Sequence, residues 1–151
     1  MYGHVSSNDG KPVFMIKVSA YQGRKMITKD HTAEDGRYDL EITGDMPVTL
    51  LFDTHPTLNN AHEWQPSIVT NIMAGPEQKL DRTVSATGHF MEDANCVDTL
   101  SAYMFATTLE EGNQSDYAQV ALSRLSQMKT PNGVLADTQE KLKAHFKTKA
   151  S

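Results

Sequence analysis

Turn signals set the frame for this chain. Within roughly the first 90 residues, Asp9-Gly10, Glu34-Asp35-Gly36, Gly44-Asp45 and Gly75-Pro76 punctuate runs rich in Val, Ile, Thr and Tyr. Asp-Gly and its relatives supply the positive-φ residues that tight β-turns require. Short strands at that spacing predict an antiparallel β-sandwich, not a helical or α/β domain.

The strands can be placed one by one. Tyr2 to Ser7 leads into the Asn8-Asp9-Gly10 turn. From Val13 to Tyr21, Ile16, Val18 and Ala20 alternate with Lys17, Ser19 and Tyr21, the period of a half-buried strand. Met26 to Thr32 follows. Tyr38, Leu40 and Ile42 then alternate with Asp39 and Glu41, which puts the three apolar side chains in the core. Val48 to Phe52 is more continuously apolar, as expected of a central strand covered on both faces. Pro66 to Met73 and Lys79 to Ser85 complete a set of seven. Between them and the central strand, Asp53 to Gln65 has no period and holds Pro56, His55, His62 and Trp64, the signature of a long loop.

The period changes at Gly88. From Asp93 to Leu109, Cys96, Val97, Leu100, Tyr103, Met104 and Ala106 recur at helical intervals. Gly112-Asn113 is a stop signal, and Ser115 opens a second helix through Met128. Thr130 to Gly133 reads as a loop. Asp137 with Glu140 fits a capping box for a third helix carrying Leu142 and Phe146. The expected division is a β region over 1–87 and a C-terminal segment of two to three helices over 88–151. The first helix is too apolar to stand free, since helices of this length are held chiefly by packing. With Val97, Leu100 and Met104 taken as its inner stripe, Tyr103, Phe105 and Leu109 become the candidate partner or oligomer surface.

Three motifs in the β region carry a family resemblance: Gly3-His4-Val5, Gly10-Lys11-Pro12-Val13, and Thr32-Ala33-Glu34-Asp35-Gly36-Arg37-Tyr38-Asp39-Leu40. With them residues 1–87 resemble the carboxypeptidase regulatory-like family, a Gly-x-Val strand, a Gly-x-Pro turn and an Asp-Gly-x-Tyr-x-Leu hairpin. The resemblance implies a seven-stranded, transthyretin-like β-sandwich and is nearly silent on function. One departure stands out. Val13-Phe14-Met15-Ile16 is bulky where the family usually has a small Gly-Ala pair, which puts the local bulge geometry in question. The helical segment has no counterpart in the family pattern.

Enzymes of similar architecture lose their chemistry here. Intradiol dioxygenases need two Tyr and two His with a His-x-His pair, and His4, His31, His55, His62, His89 and His145 form none. Hydroxyisourate hydrolases end in Tyr-Arg-Gly-Ser, whereas this chain ends Lys-Thr-Lys-Ala-Ser. A metallocarboxypeptidase needs a separate zinc domain. Cys96 is the one cysteine, so no intrachain disulfide forms, and no base is spaced to make it a nucleophile. The eight Met residues are scattered, as core filler is and copper ligands are not. Asp30, Glu34 and Asp35 lack the ligand spacing of a calcium loop and serve as turn formers.

What is left is the loop. Asp53, His55 and His62 are a candidate set for a divalent transition metal, against a plain reading as solvated loop residues. His55, His62, Glu63 and Trp64 are the candidate ligand or partner residues. With a net charge of −5 and no apolar run of about 18 residues, nucleic acid and membrane insertion are not expected. The Lys cluster at 141, 143, 147 and 149 suits a solvated helix end. The expectation is a non-enzymatic binding or assembly module without a cofactor, its partner a protein or a second copy of itself. The alternative is an accessory metal-binding or enzymatic protein working through Asp53 to Trp64. If Met1 is the native start, the expected compartment is the cytoplasm; a secreted or periplasmic parent stays open otherwise.

Overall fold

The computed structural model describes residues 1–109, 114–131 and 133–150. Seven strands come first: β1 (Tyr2–Ser7), β2 (Lys17–Gln22), β3 (Lys25–His31), β4 (Arg37–Asp39), β5 (Met46–Asp53), β6 (Ser67–Ala74) and β7 (Arg82–Val84). Three helices follow: α1 (Asp93–Thr107), α2 (Gln114–Gln127) and α3 (Gly133–Ala150). The strands form a three-stranded sheet in the order β4-β1-β7 and a four-stranded sheet in the order β3-β2-β5-β6.

One sheet is not wholly antiparallel as the turn spacing predicts. β7 runs parallel to β1, with Val5 opposite Arg82 and Ser7 opposite Val84. A parallel pair needs a long crossover. Here it is the whole path from β2 to β6, which builds the second sheet before the chain returns beside its first strand.

The two sheets enclose one core. Val5, Tyr38 and Val84 of the smaller sheet, with Leu40 just past β4, meet Val18, Ala20, Val48, Leu50 and Phe52 of the larger. The Tyr38 and Phe52 rings sit edge to face at 5.9 Å, and the Tyr38 hydroxyl donates to the Leu80 carbonyl at 2.5 Å. Tyr38, Leu40 and Ile42 are buried, as their alternation requires. Gly36 takes φ +82° in the turn before them.

The outer face of the four-stranded sheet is covered too. Leu51 and Ile68 pack with Ala102 and Phe105 of α1, and Tyr21 meets Phe105 edge to face at 5.1 Å. Ser19 and Tyr21 are therefore buried, and β2 is not the half-buried strand its alternation predicts. Behind α1, a helical core joins Cys96, Leu100 and Tyr103 to Leu125, Leu142 and Phe146. The result is three layers: sheet, sheet and helices.

This third layer overturns the expected orientation of α1. Tyr103 is 0% exposed and Phe105 is turned toward the sheet, so neither forms a partner surface; Leu109 is half-buried just past the helix end. The arc left open holds Val97 and Met104, 46% and 47% exposed. A helix covered on two sides needs two apolar arcs, and a single stripe read from periodicity merges them. α3 also begins earlier than its expected capping box, at Gly133. Gln139, between Asp137 and Glu140, instead donates to the Leu125 and Met128 carbonyls and satisfies the end of α2. The expected stop at Gly112-Asn113 lies outside the described residues. Among the described residues, no helix is long and apolar enough to cross a membrane.

Candidate functional site

The loop from Asp53 to Gln65 is folded as a chain of turns. Leu58 N–H donates to the His55 carbonyl, Ala61 N–H to that of Leu58, and Glu63 N–H to that of Asn60. Its far end is tied to the strand region after β7. Gln65 N–H donates to the Ser85 carbonyl and Thr87 N–H to that of Glu63.

Both ends of the loop are held by one side chain from α2. Arg124 is 0% exposed. Its Nη1 donates to Asp53 Oδ1 at 2.6 Å and to the Trp64 carbonyl at 3.0 Å. Tyr117 Oη donates to Asp53 Oδ2 at 3.0 Å. Gln65 Nε2 donates to the Arg124 carbonyl, and the Tyr103 hydroxyl donates to Gln65 Oε1 at 2.6 Å. The guanidinium also lies 5.6 and 5.8 Å from the ring centres of Tyr103 and Tyr117. Burial by itself lowers the Arg124 pKa and is the largest single influence, but the Asp53 carboxylate together with Tyr103 and Tyr117 outweighs it, so the guanidinium stays charged. Burial pushes both tyrosine hydroxyls well above their ordinary value, and Asp53 adds to the shift at Tyr117. These hydroxyls are fixed donors, not acids in waiting.

Arg124 is the residue that sequence reasoning missed. Its signal was present: it stands seven positions after Tyr117 and next to Leu125, inside the buried stripe of α2. A cation on an inner helix face calls for a buried anion.

Asp53 is thus engaged in an ion pair and is not open to a metal. His55 Nδ1 lies 2.8 Å from the Thr57 hydroxyl, at the lining of a cavity of about 90 Å³ that it shares with Lys17 and Asp53. His62 Nδ1 lies 3.3 Å from Ser123 Oγ on α2. Among the described residues, no three His, Cys, Asp or Glu side chains come together as a metal site. Asp30 accepts from the Asp39 amide and so ties β3 to β4, and Asp35 accepts from the Arg37 amide in its own turn. Cys96 is buried, and burial together with Asp93 pushes its thiol up, away from nucleophile chemistry.

The other half of the loop does form a site. Leu58, Asn60, Glu63 and Trp64 face the segment Pro12 to Met15 across a groove of about 420 Å³. That volume is within the usual range for a ligand pocket. The facing segment is the bulky stretch singled out in the sequence. Met15 sits at φ +62°, one of two non-glycine residues with positive φ among the described residues, the other being Asn71. Val13 and Ile16 are buried on either side as anchors, which lifts Phe14 outward to 52% exposure. Buried Thr32 staples the turn: its hydroxyl donates to the Val13 carbonyl at 2.6 Å and accepts from Ile16 N–H at 2.9 Å. From the opposite wall, the Asn60 amide donates to the Phe14 carbonyl at 3.2 Å. A strained residue persists only where its surroundings over-determine it, and such residues gather at binding sites.

Of the candidate loop residues, Glu63 and Trp64 therefore line the groove, while His55 and His62 turn elsewhere.

Comparison with protein families and with curated proteins gives no match. Among solved structures the chain is similar to 5-hydroxyisourate hydrolase of Klebsiella pneumoniae, at 11% identity over 56% of this chain and 87% of that one, with a TM-score of 0.40. It is also similar to chains in two type II cohesin–X-dockerin complexes of Acetivibrio cellulolyticus. One, an N-terminal interface mutant, has 7% identity over 85% of this chain and 94% of that one, with a TM-score of 0.45. The other, a C-terminal interface mutant, has 8% identity over 68% and 70%, with a TM-score of 0.40. These are partial likenesses of backbone course, and nothing about activity follows from them.

Proposed function

We propose that this chain is a non-enzymatic binding module that takes a protein partner in the groove between the Pro12–Met15 turn and the Leu58–Trp64 arm. The observation that carries this reading is the groove's construction. An exposed Phe14 is held out on a left-handed turn, opposite an arm whose Trp64 end is pinned by the buried Arg124, which also holds Asp53 at the start of the same loop. Preorganised apolar walls lower the ordering cost of binding. The kinship with the carboxypeptidase regulatory-like family belongs to the same proposal. It is supported by the Gly36 turn, by Tyr38 and Leu40 in the core, and by seven strands in two sheets sharing one core.

A random peptide library displayed against the full chain tests the reading. Enriched peptides are expected to compete with one another and to lose binding on Phe14→Ser, a change at an exposed position that leaves the fold intact. Peptides that bind the wild type and Phe14→Ser chains equally would place the interaction elsewhere, and a library that yields no binder would sink the proposal.

A further inference from the structure

We infer that, granted the groove is the binding site, its partner is a different chain presenting an extended, proline-rich segment with a basic side chain beside it. The walls point to this chemistry. Pro12, Phe14, Met15 and Leu58 offer apolar surface, and Trp64 is half-buried among them. Proline-rich segments adopt a pre-stiffened polyproline II helix that has no internal hydrogen bonds and docks on aromatic-lined grooves. Such a segment brings free carbonyl oxygens. Trp64, in the groove lining, carries an indole N–H that can only donate, makes no hydrogen bond within the described residues and is not among the buried unpartnered atoms.

Charge sets the second half of the inference. Glu63 is exposed and is the one charged residue in the groove lining, in a chain of net charge −5. An arginine or lysine on the partner complements it, whereas an acidic segment is repelled.

A second copy of this chain does not fit the description. Its prolines at 12, 47, 56, 66, 76 and 131 stand singly, so no proline-rich segment is available to dock.

Trp64 is the sole tryptophan and gives a direct signal. The full chain is titrated with three short synthetic peptides, followed by tryptophan fluorescence. The first is proline-rich with one arginine, the second carries glutamate in place of the arginine, and the third carries glycine in place of every proline. The first is expected to saturate below about 1 mM, and the second to bind about two- to fivefold more weakly, the range of an exposed ion pair. Glu63→Gln is expected to erase that difference, and Phe14→Ser to weaken the first peptide. Equal binding of the glycine peptide overturns the proline requirement, and equal binding of the glutamate peptide overturns the basic one. If none of the three saturates while library-selected peptides of other chemistry bind in a Phe14-dependent way, the partner class is wrong and the groove stands. If no binding of any kind depends on Phe14, the groove itself falls.

Discussion

Arg124 ties the two ends of the long loop to the helical layer. It satisfies Asp53 at the start of the loop and the Trp64 carbonyl at its end, 2.6 and 3.0 Å away. Removing one member of a buried ion pair leaves the other charge uncompensated, which costs about 3–5 kcal/mol. Arg124→Met is expected to lose that much in urea unfolding, and Asp53→Leu a comparable amount. The double variant should lose clearly less than the sum, because the stranded charge is gone. Strict additivity would mean that the two residues act independently. A second prediction concerns Gly36. At φ +82° an L side chain is strained, and a Cβ there would stand 2.5 Å from the Val5 carbonyl oxygen. Gly36→Val should therefore exceed the ~1 kcal/mol of an ordinary substitution, and a smaller loss would show that β1 yields to make room. This glycine was legible in the sequence because a turn requirement is local. The Asp53–Arg124 pair was not, since its members lie 71 positions apart and nothing local couples them. The left-handed Met15 was half legible: its bulk marked the turn as unusual, and only the backbone reveals how it is accommodated.

Among the elements, strands were easier to read than the faces of helices. Tyr38, Leu40 and Ile42 alternate with polar residues and all three are buried, although β4 itself ends at Asp39 and the chain beyond it keeps the alternation without the strand. β2 shows the limit of that logic. Its alternation is real, yet Ser19 and Tyr21 are buried under α1, since a small or amphipathic residue is compatible with either environment. On α1 the same ambiguity became an inversion. Val97, Leu100 and Met104 make a plausible inner stripe, but only Leu100 is buried, and the sheet takes Phe105 instead. A direct comparison checks the observed orientation. Phe105→Glu places a charge against Leu51 and Ile68 and is expected to destabilise by at least about 2 kcal/mol. Met104→Glu, one residue away on the open arc, should fall within about 0.5 kcal/mol of wild type. The opposite ranking in thermal or urea unfolding would restore the sequence-derived face.

For the whole molecule, the question is whether the β region and the helical segment are two units or one. Composition and period change at Gly88, which predicts a boundary there, and the resemblance to a known β family stops at the same place. The packing argues for interdependence. Without the helices, Tyr21, Leu51 and Ile68 on the outer face of the four-stranded sheet lose their cover, and Asp53 loses both Arg124 and Tyr117. An exposed apolar sheet face of that kind drives association. Links of other chemistry run the same way: Arg82 on β7 bridges Asp98 on α1 at 2.6 Å, and the Thr99 hydroxyl donates to the Pro66 carbonyl. Residues 1–87 expressed alone are therefore expected to be poorly folded or to self-associate, as read by circular dichroism and light scattering beside the full chain. The groove should suffer with them, since its Trp64 arm is anchored through Arg124. A monomeric 1–87 fragment with the full chain's unfolding midpoint and an intact Phe14-dependent binding signal would make the helices an appendage. Failure of that fragment, together with rescue by supplying residues 88–151 as a separate chain, would identify the helical layer as the third wall of a single folding unit.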